Sequence, residues 1–187
     1  MSERDRVDAL TASWQAQGPD VVQSGAAAAA DCWDEFKLVK RVARLHVLLE
    51  EVLLERLRPY SLSKAEYDIL STLRSVGTPY RLRPSELADR ILMTSGGTSN
   101  ALRRLAARGL VSRAVDPADA RSSPACLTDA GADLALEVVR EVVGAQTALL
   151  RRGAGPGGGT GDASEALRAV LIALGDTAPR ARTGVRE

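Results

Sequence analysis

Apolar residues recur at helical spacing in several stretches of the chain. The longest stretch, Trp33 to Leu57, carries an apolar stripe wider than one neighbouring helix covers, so we expect it to be buried from two sides. Shorter periodic stretches predict further helices. These are expected from Val7 to Gln17, from Ser63 to Gly77, from Pro84 to Ile91, from Thr98 to Arg108, from Thr128 to about Leu150, and around Leu167 to Leu174.

Residues with special backbone roles predict where some of these helices begin and end. Ser63 is a predicted N-cap, and Glu66 stands at the position that completes a capping box. Gly77 and Gly109 are predicted helix stops, because glycine readily adopts the left-handed conformation that follows a last turn. Met93 to Gly97 is expected to be a turn.

Alternating residues predict short strands in the middle of the chain. Tyr80 to Arg83 is one, and Leu110 to Val115 pairs with Ala125 to Leu127 across a turn at Asp116–Asp119. Two short helices followed by a hairpin is the order of a winged helix-turn-helix, so we expect a mainly α fold. The predicted organisation is an extra N-terminal helix and linker (1–30), a helical dimerisation region (31–62 and 128–187) and a winged helix-turn-helix lobe (63–127).

Composition excludes several classes of protein. One histidine and two cysteines provide no His-based triad, metal cluster or disulfide framework, so we expect neither an enzyme nor a bound cofactor. No apolar run is long enough for a membrane span and no secretory signal is visible, which favours the cytoplasm. The net charge is only +1, but eight basic and four acidic residues lie between Tyr80 and Ser123. This local excess is typical of a surface that faces nucleic acid.

The second short helix carries side chains suited to reading DNA. Asn can pair with adenine and Arg with guanine, while Ser and Thr can bind phosphates or bases. Arg121, at the tip of the hairpin, is expected to reach a minor groove. The residues expected to face outward are Ser95, Thr98, Ser99, Asn100, Arg103, Arg104 and Arg108.

The region from about Trp33 to Leu150 resembles the MarR family of winged-helix regulators. The resemblance is carried by Ser95–Asn100, by Gly109–Val111, by the wing run Asp116–Arg121 and by Leu127-Thr128 followed by Gly131. It implies a homodimer that binds a pseudo-palindromic DNA operator as a repressor. It also implies that Asp119 holds Arg121 by an ion pair and that Arg121 enters the minor groove.

A narrower resemblance is to the urate-responsive members of that family. There, a Trp on an extra N-terminal helix, an Asp and two Arg are linked to an anionic purine-like ligand. Trp14, Asp68 and Arg113 match three of these positions, which implies a small anionic or aromatic effector. The second Arg is replaced by Ala101, which removes one bidentate anion contact.

Other interpretations remain open at this point. Cys32, near the start of the long helix, allows a redox-sensing repressor, although Asp31 and Asp34 beside it oppose thiolate formation. A small-molecule-binding enzyme and a dimeric interaction module without DNA binding are the alternatives from other classes. The enzyme lacks a nucleophile–base pair, and the intact arginines of the middle segment count against the interaction module.

Overall fold

The computed structural model describes residues 5, 7–8, 12, 32–91, 95–113, 123–154 and 159–174, with only the backbone at 32–33, 95–96, 113 and 154. Its elements are α1 (Cys32–Leu57), a 3-10 turn (Arg58–Tyr60), α2 (Lys64–Ser75), β1 (Arg81–Leu82), α3 (Pro84–Ile91), α4 (Ser95–Ala107), β2 (Val111–Arg113), β3 (Ala125–Leu127), α5 (Asp129–Ala154) and α6 (Gly161–Ala173). The fold is mainly helical with one small sheet, as the sequence predicts.

The predicted helix signals are present where α2 begins and α4 ends. Ser63 caps α2, and its side chain and that of Glu66 form the reciprocal capping box. Gly109 has a φ of +70°, the left-handed conformation that a glycine allows after a helix, and its amide bonds to the carbonyl of Ala106. These two ends therefore follow from local sequence.

The core of the lobe lies between α2, α3, α4 and the sheet. Ile69, Leu70 and Leu73 form the buried face of α2, which is the face that their apolar spacing along the sequence predicts. Leu87 of α3 and Leu102 of α4 complete this cluster. Packing of the two short helices on α2 holds the outer face of α4 in a defined direction.

The strands form one three-stranded antiparallel sheet in the order β1-β3-β2. Cys126 at the centre of β3 is opposite Arg81 on one side and Ser112 on the other. The base of the predicted hairpin is therefore paired also to the connection between α2 and α3. The turn 116–119 of the hairpin lies outside the described residues.

Two details of α4 differ from the prediction. Ser95 to Gly97 are helical, not a turn, because core packing of this helix outweighs the roughly 1 kcal/mol by which each glycine disfavours helix. Ala106 is exposed, whereas Ala101 is buried. The inward face of α4 thus includes Ala101, Leu102 and Leu105, whereas the apolar spacing predicts Leu102, Leu105 and Ala106.

The chain divides into two compact units, Met1–Val143 and Gly144–Glu187. In the first unit, Leu53 and Leu57 at the end of α1 are buried, but Leu38, Val42 and Leu45 are 37–47% exposed. In the second unit, α6 also exposes large apolar side chains, including Val170 and Leu171. Among the described residues, no helix combines the length and apolarity that crossing a bilayer requires.

Candidate nucleic-acid interface

The exposed face of α4 carries three polar side chains of the predicted DNA-reading set. Ser99, Asn100 and Arg103 are all exposed, and Arg103 donates to the side-chain oxygen of Asn100 one turn earlier. This pair joins a guanidinium to a carboxamide on one surface. These are the two groups that recognise guanine and adenine edges in a major groove.

Thr98 does not belong to that surface. Its side chain is 2% exposed, so the expectation that it faces outward is wrong. Thr98 precedes the buried Ala101 and Leu102 by one helical turn, and residues three and four apart share a helix face. It is therefore on the core side of α4.

Arg104 is on α4 but points to the start of α2. Its Nε is 3.2 Å from Oε1 of Glu66, and its Nη2 donates to Oγ of Ser63 at 3.1 Å. Glu66 is 5% exposed, whereas the side chain of Arg104 is largely exposed. The sequence predicts a DNA contact for Arg104, whereas the structure shows its guanidinium bonded within the lobe.

Arg108, just after α4, contacts the turn between α1 and α2, which directly precedes the residues that Arg104 contacts. Its guanidinium donates to the backbone carbonyls of Ser61 at 3.0 Å and Tyr60 at 2.9 Å. The hydroxyl of Tyr60 in turn donates to Oε1 of Glu137 on α5 at 2.9 Å. Sequence reasoning missed this turn as a functional element, since nothing local pairs position 108 with position 60.

The charge of Glu66 is stabilised by these neighbours. Burial acts to raise the pKa of Glu66, but hydrogen bonds from Ser63 and the positive charges of Arg104 and Arg108 outweigh it, and the net pKa lies below the ordinary value. Glu66 is thus a carboxylate at neutral pH, so its ion pair with Arg104 is formed there.

Two residues predicted to bind DNA and the residue predicted to stabilise the wing have no described side chain. Asp119 and Arg121 of the wing are outside the described residues, and so is the side chain of Ser95. Their assigned roles stay predictions. The strands that lead into the wing, β2 and β3, are described and paired.

The candidate effector residues are described only in part. Trp14 and the side chain of Arg113 lie outside the described residues. Asp68 is on α2, where it accepts a hydrogen bond from Nζ of Lys64 at 2.8 Å. Position 101, where the urate-responsive proteins have an Arg, is 1% exposed in the core of the lobe. In this fold, a charged side chain at that position would have to displace core packing.

A cavity of about 400 Å³ lies between the described N-terminal residues and α1. Two arginines line it, and one of them, Arg41, forms ion pairs with Asp5 at 2.8 Å and Asp8 at 2.7 Å. The Asp5 carboxylate has a lowered pKa, mainly because of its hydrogen bond with Arg41. The lining residues are Asp5, Val7, Arg41, Arg44, Leu45 and Leu48.

Comparison with known proteins agrees with this architecture. The MarR family model matches residues 60–122. The chain is 33% identical over 106 residues to the HTH-type transcriptional regulator PecS of Dickeya dadantii, a match that covers 57% of this chain and 64% of PecS. The matched stretch therefore spans less than two thirds of that relative.

Solved structures show the same fold. Sco5413, a MarR family transcriptional regulator of Streptomyces coelicolor, has a TM-score of 0.64 at 23% identity, covering 78% of this chain and 99% of its own. A mutant MarR of Escherichia coli complexed with operator DNA has a TM-score of 0.60 at 23% identity, with the same coverage of 78% and 99%. This chain therefore has the MarR winged helix-turn-helix fold, and its residues 60–122 match the MarR family model.

Proposed function

We propose that this protein is a DNA-binding transcriptional regulator that represses its target genes. The observation that carries the proposal is the exposed Asn100–Arg103 surface of α4, because α2 and α3 support this helix from behind. The second helix of a helix-turn-helix enters the major groove, and these side chains would read base edges there. Arg121 is proposed to enter the adjacent minor groove, held by Asp119.

Two copies of the chain are proposed to bind a pseudo-palindromic operator. Support comes from α1, whose apolar residues Leu38, Val42 and Leu45 remain exposed in the single chain. A contiguous exposed apolar stripe on a helix indicates an interface with another protein surface. We propose that a second α1 covers it, with α5 and α6 contributing. A two-fold axis would then place two recognition helices one DNA turn, about 34 Å, apart.

A small anionic or aromatic molecule, purine-like in shape, is proposed to release the protein from DNA. The support is the sequence resemblance at Trp14, Asp68 and Arg113. Such an effector can shift the equilibrium between the DNA-binding and the released conformations only by the difference in its affinity for the two. The buried Ala101 indicates that the effector contacts differ from those of the urate-responsive relatives at this position.

The test of the proposed function is binding to a fluorescent duplex taken from directly upstream of its own gene. We expect binding that weakens steeply with salt, because phosphate contacts release counterions. Arg103→Ala should weaken it by about 1–3 kcal/mol if Arg103 pairs with a guanine. Arg168→Ala, which removes an exposed arginine from α6, is the matched control and should bind like the wild type.

Anisotropy titrations at several salt concentrations measure both effects. If the wild type leaves this duplex and other duplexes from the same locus unbound at modest salt, the proposed function is wrong. If Arg103→Ala and Arg168→Ala bind equally well, the base-reading role of α4 is wrong.

A further inference from the structure

We propose that Arg104 and Arg108 are positioning residues that fix α4 to the turn between α1 and α2, rather than side chains that bind DNA. The proposal rests on the proposed function, since it concerns how the recognition helix is aimed. It assigns these two arginines a different role from that of Arg103 on the same helix. We call the group formed by Arg104, Arg108, Glu66 and residues 60–63 the clamp.

Position along the helix separates the two kinds of arginine. Residues four apart lie on one helix face, so Arg104 and Arg108 share a face, while Arg103 is about 100° away from Arg104. Arg103 bonds to Asn100 within its own helix. Arg104 and Arg108 instead bond to residues that precede them by 38 to 48 positions.

The acceptors in the clamp are groups that a charged donor stabilises. Glu66 is almost fully buried, and a buried carboxylate is costly unless it is paired. Ser61 has a φ of 51° and follows the 3-10 turn. Its carbonyl and that of Tyr60 therefore lie between two helices, where carbonyl groups lack regular helical hydrogen-bond partners. Arg108 supplies both with a charged donor. Such charge-assisted bonds are stronger than neutral ones.

The clamp connects α4 to the elements that carry the exposed apolar stripe. The 3-10 turn continues directly from α1, and Tyr60 within it also bonds to Glu137 of α5. A rotation of α1 would therefore move the turn and pull the end of α4 through Arg108. The direction of the recognition helix is set in this way by the helix proposed to pair with a second copy.

Hydrogen–deuterium exchange of the free protein tests the clamp without DNA. The amides of Ser61 and Leu62 bond to the carbonyls of Arg58 and Leu57 and report on the order of the turn. In Arg108→Ala we expect these amides to exchange about tenfold faster, because the turn loses two charge-assisted bonds. Arg103→Ala, the matched control, should leave them unchanged. Equal exchange rates in Arg108→Ala and the wild type would overturn the proposal.

The salt dependence of DNA binding supplies the second test, with the duplex from upstream of its own gene. Loss of a phosphate contact lowers the slope of log affinity against log salt by about 0.9, whereas loss of a positioning contact lowers affinity at constant slope. We expect Arg108→Ala and Glu66→Gln to bind about tenfold more weakly with the wild-type slope. Arg108→Lys should recover part of the affinity, since an ammonium can still donate to one carbonyl.

The outcomes distinguish failure of the positioning role from failure of the proposed function. A slope reduced by about one unit in Arg108→Ala, or an unchanged affinity, overturns the positioning role. Absence of wild-type binding refutes the proposed function instead, and the exchange experiment then decides the clamp alone. Circular dichroism of each variant confirms that the lobe is folded before binding is compared.

Discussion

Glu66 shows how one side chain can serve a helix end and a tertiary contact together. Its carboxylate accepts from the backbone amide and the hydroxyl of Ser63, at 2.8 Å and 2.7 Å, and it also meets Arg104 at 3.2 Å. The capping box needs only the first of these bonds, together with the bond that the amide of Glu66 donates to Oγ of Ser63. The bond with Arg104 links α2 to α4, so a substitution at this position affects both.

We expect Glu66→Gln to lower the free energy of unfolding by about 1–2 kcal/mol at neutral pH. Because the folded-state pKa of Glu66 lies below its unfolded value, this contribution is present above the unfolded pKa of about 4.3 and is lost as the pH falls through the folded pKa. The difference between wild type and variant should therefore close in acid.

Urea denaturation at a series of pH values from 7 down to 3 measures this difference. Glu51→Gln, at an exposed position on α1, is the control and should stay within about 0.5 kcal/mol of the wild type. A difference for Glu66→Gln that stays constant down to pH 3 would show that the carboxylate charge does not stabilise the fold.

At the scale of residues, the sequence predicts the features that depend only on residues close by in the chain. The capping box at Ser63 and the left-handed Gly109 depend on residues within one turn, and both are confirmed. The outward placement of Thr98 is wrong, and the partners of Arg104 and Arg108 could not be found in the sequence. Those partners are 38 to 48 positions away and become neighbours only once α2 packs on α4.

At the scale of elements, the close approach of α5 to the backbone of Leu110 explains why the residue at position 131, after Leu127-Thr128, is a glycine. A Cβ at Gly131 would lie 1.9 Å from the carbonyl oxygen of Leu110, closer than any real contact. We expect Gly131→Ala to destabilise the protein by about 3 kcal/mol, because α5 would have to move away from the end of α4.

Gly144, also within α5, provides the control for Gly131. No atom lies within 4 Å of a Cβ built there, so Gly144→Ala should stabilise the protein by up to about 1 kcal/mol through its helix propensity. Thermal or urea unfolding of the two variants compares them directly. Equal effects of the two substitutions would mean that the approach of α5 to Leu110 is not constrained.

Most element boundaries could be predicted because helix periodicity and breakers coincide in this chain. α1 begins one residue before the predicted Trp33 and ends at the predicted Leu57. The start of α4 could not be predicted, since Gly96 and Gly97 are typical of a turn and only burial of the far side of the helix favours their helical state.

At the scale of the whole molecule, the wide apolar stripe of α1 predicts burial from two sides. Within one chain, Leu53 and Leu57 are buried, whereas Leu38 and Val42 are exposed. The second covering surface is the one that we assign to another copy of the chain. Self-association thus stays a proposal, which a measurement of the oligomeric state in solution tests.

We expect Val42→Glu to weaken self-association by at least about a hundredfold, because a two-fold interface would bury the new carboxylate on both copies. The single chain should stay folded, since Val42 is exposed in it. Lys40→Glu adds a carboxylate on the opposite face of α1 and should leave association unchanged. Sedimentation velocity measures both; a wild type that sediments as a monomer, or a Val42→Glu variant that still pairs, contradicts the proposed dimer.

The hydroxyl of Thr128 connects the turn after α4 to the first residues of α5. It donates to the carbonyl of Gly109 at 2.7 Å and accepts from the amide of Gly131 at 3.0 Å. One oxygen atom thus closes the turn after α4 and opens α5. A chimaera that grafts a foreign recognition helix into this scaffold should therefore exchange residues 95–131 as one cassette, because a cut at 108 would separate α4 from the atoms that terminate it.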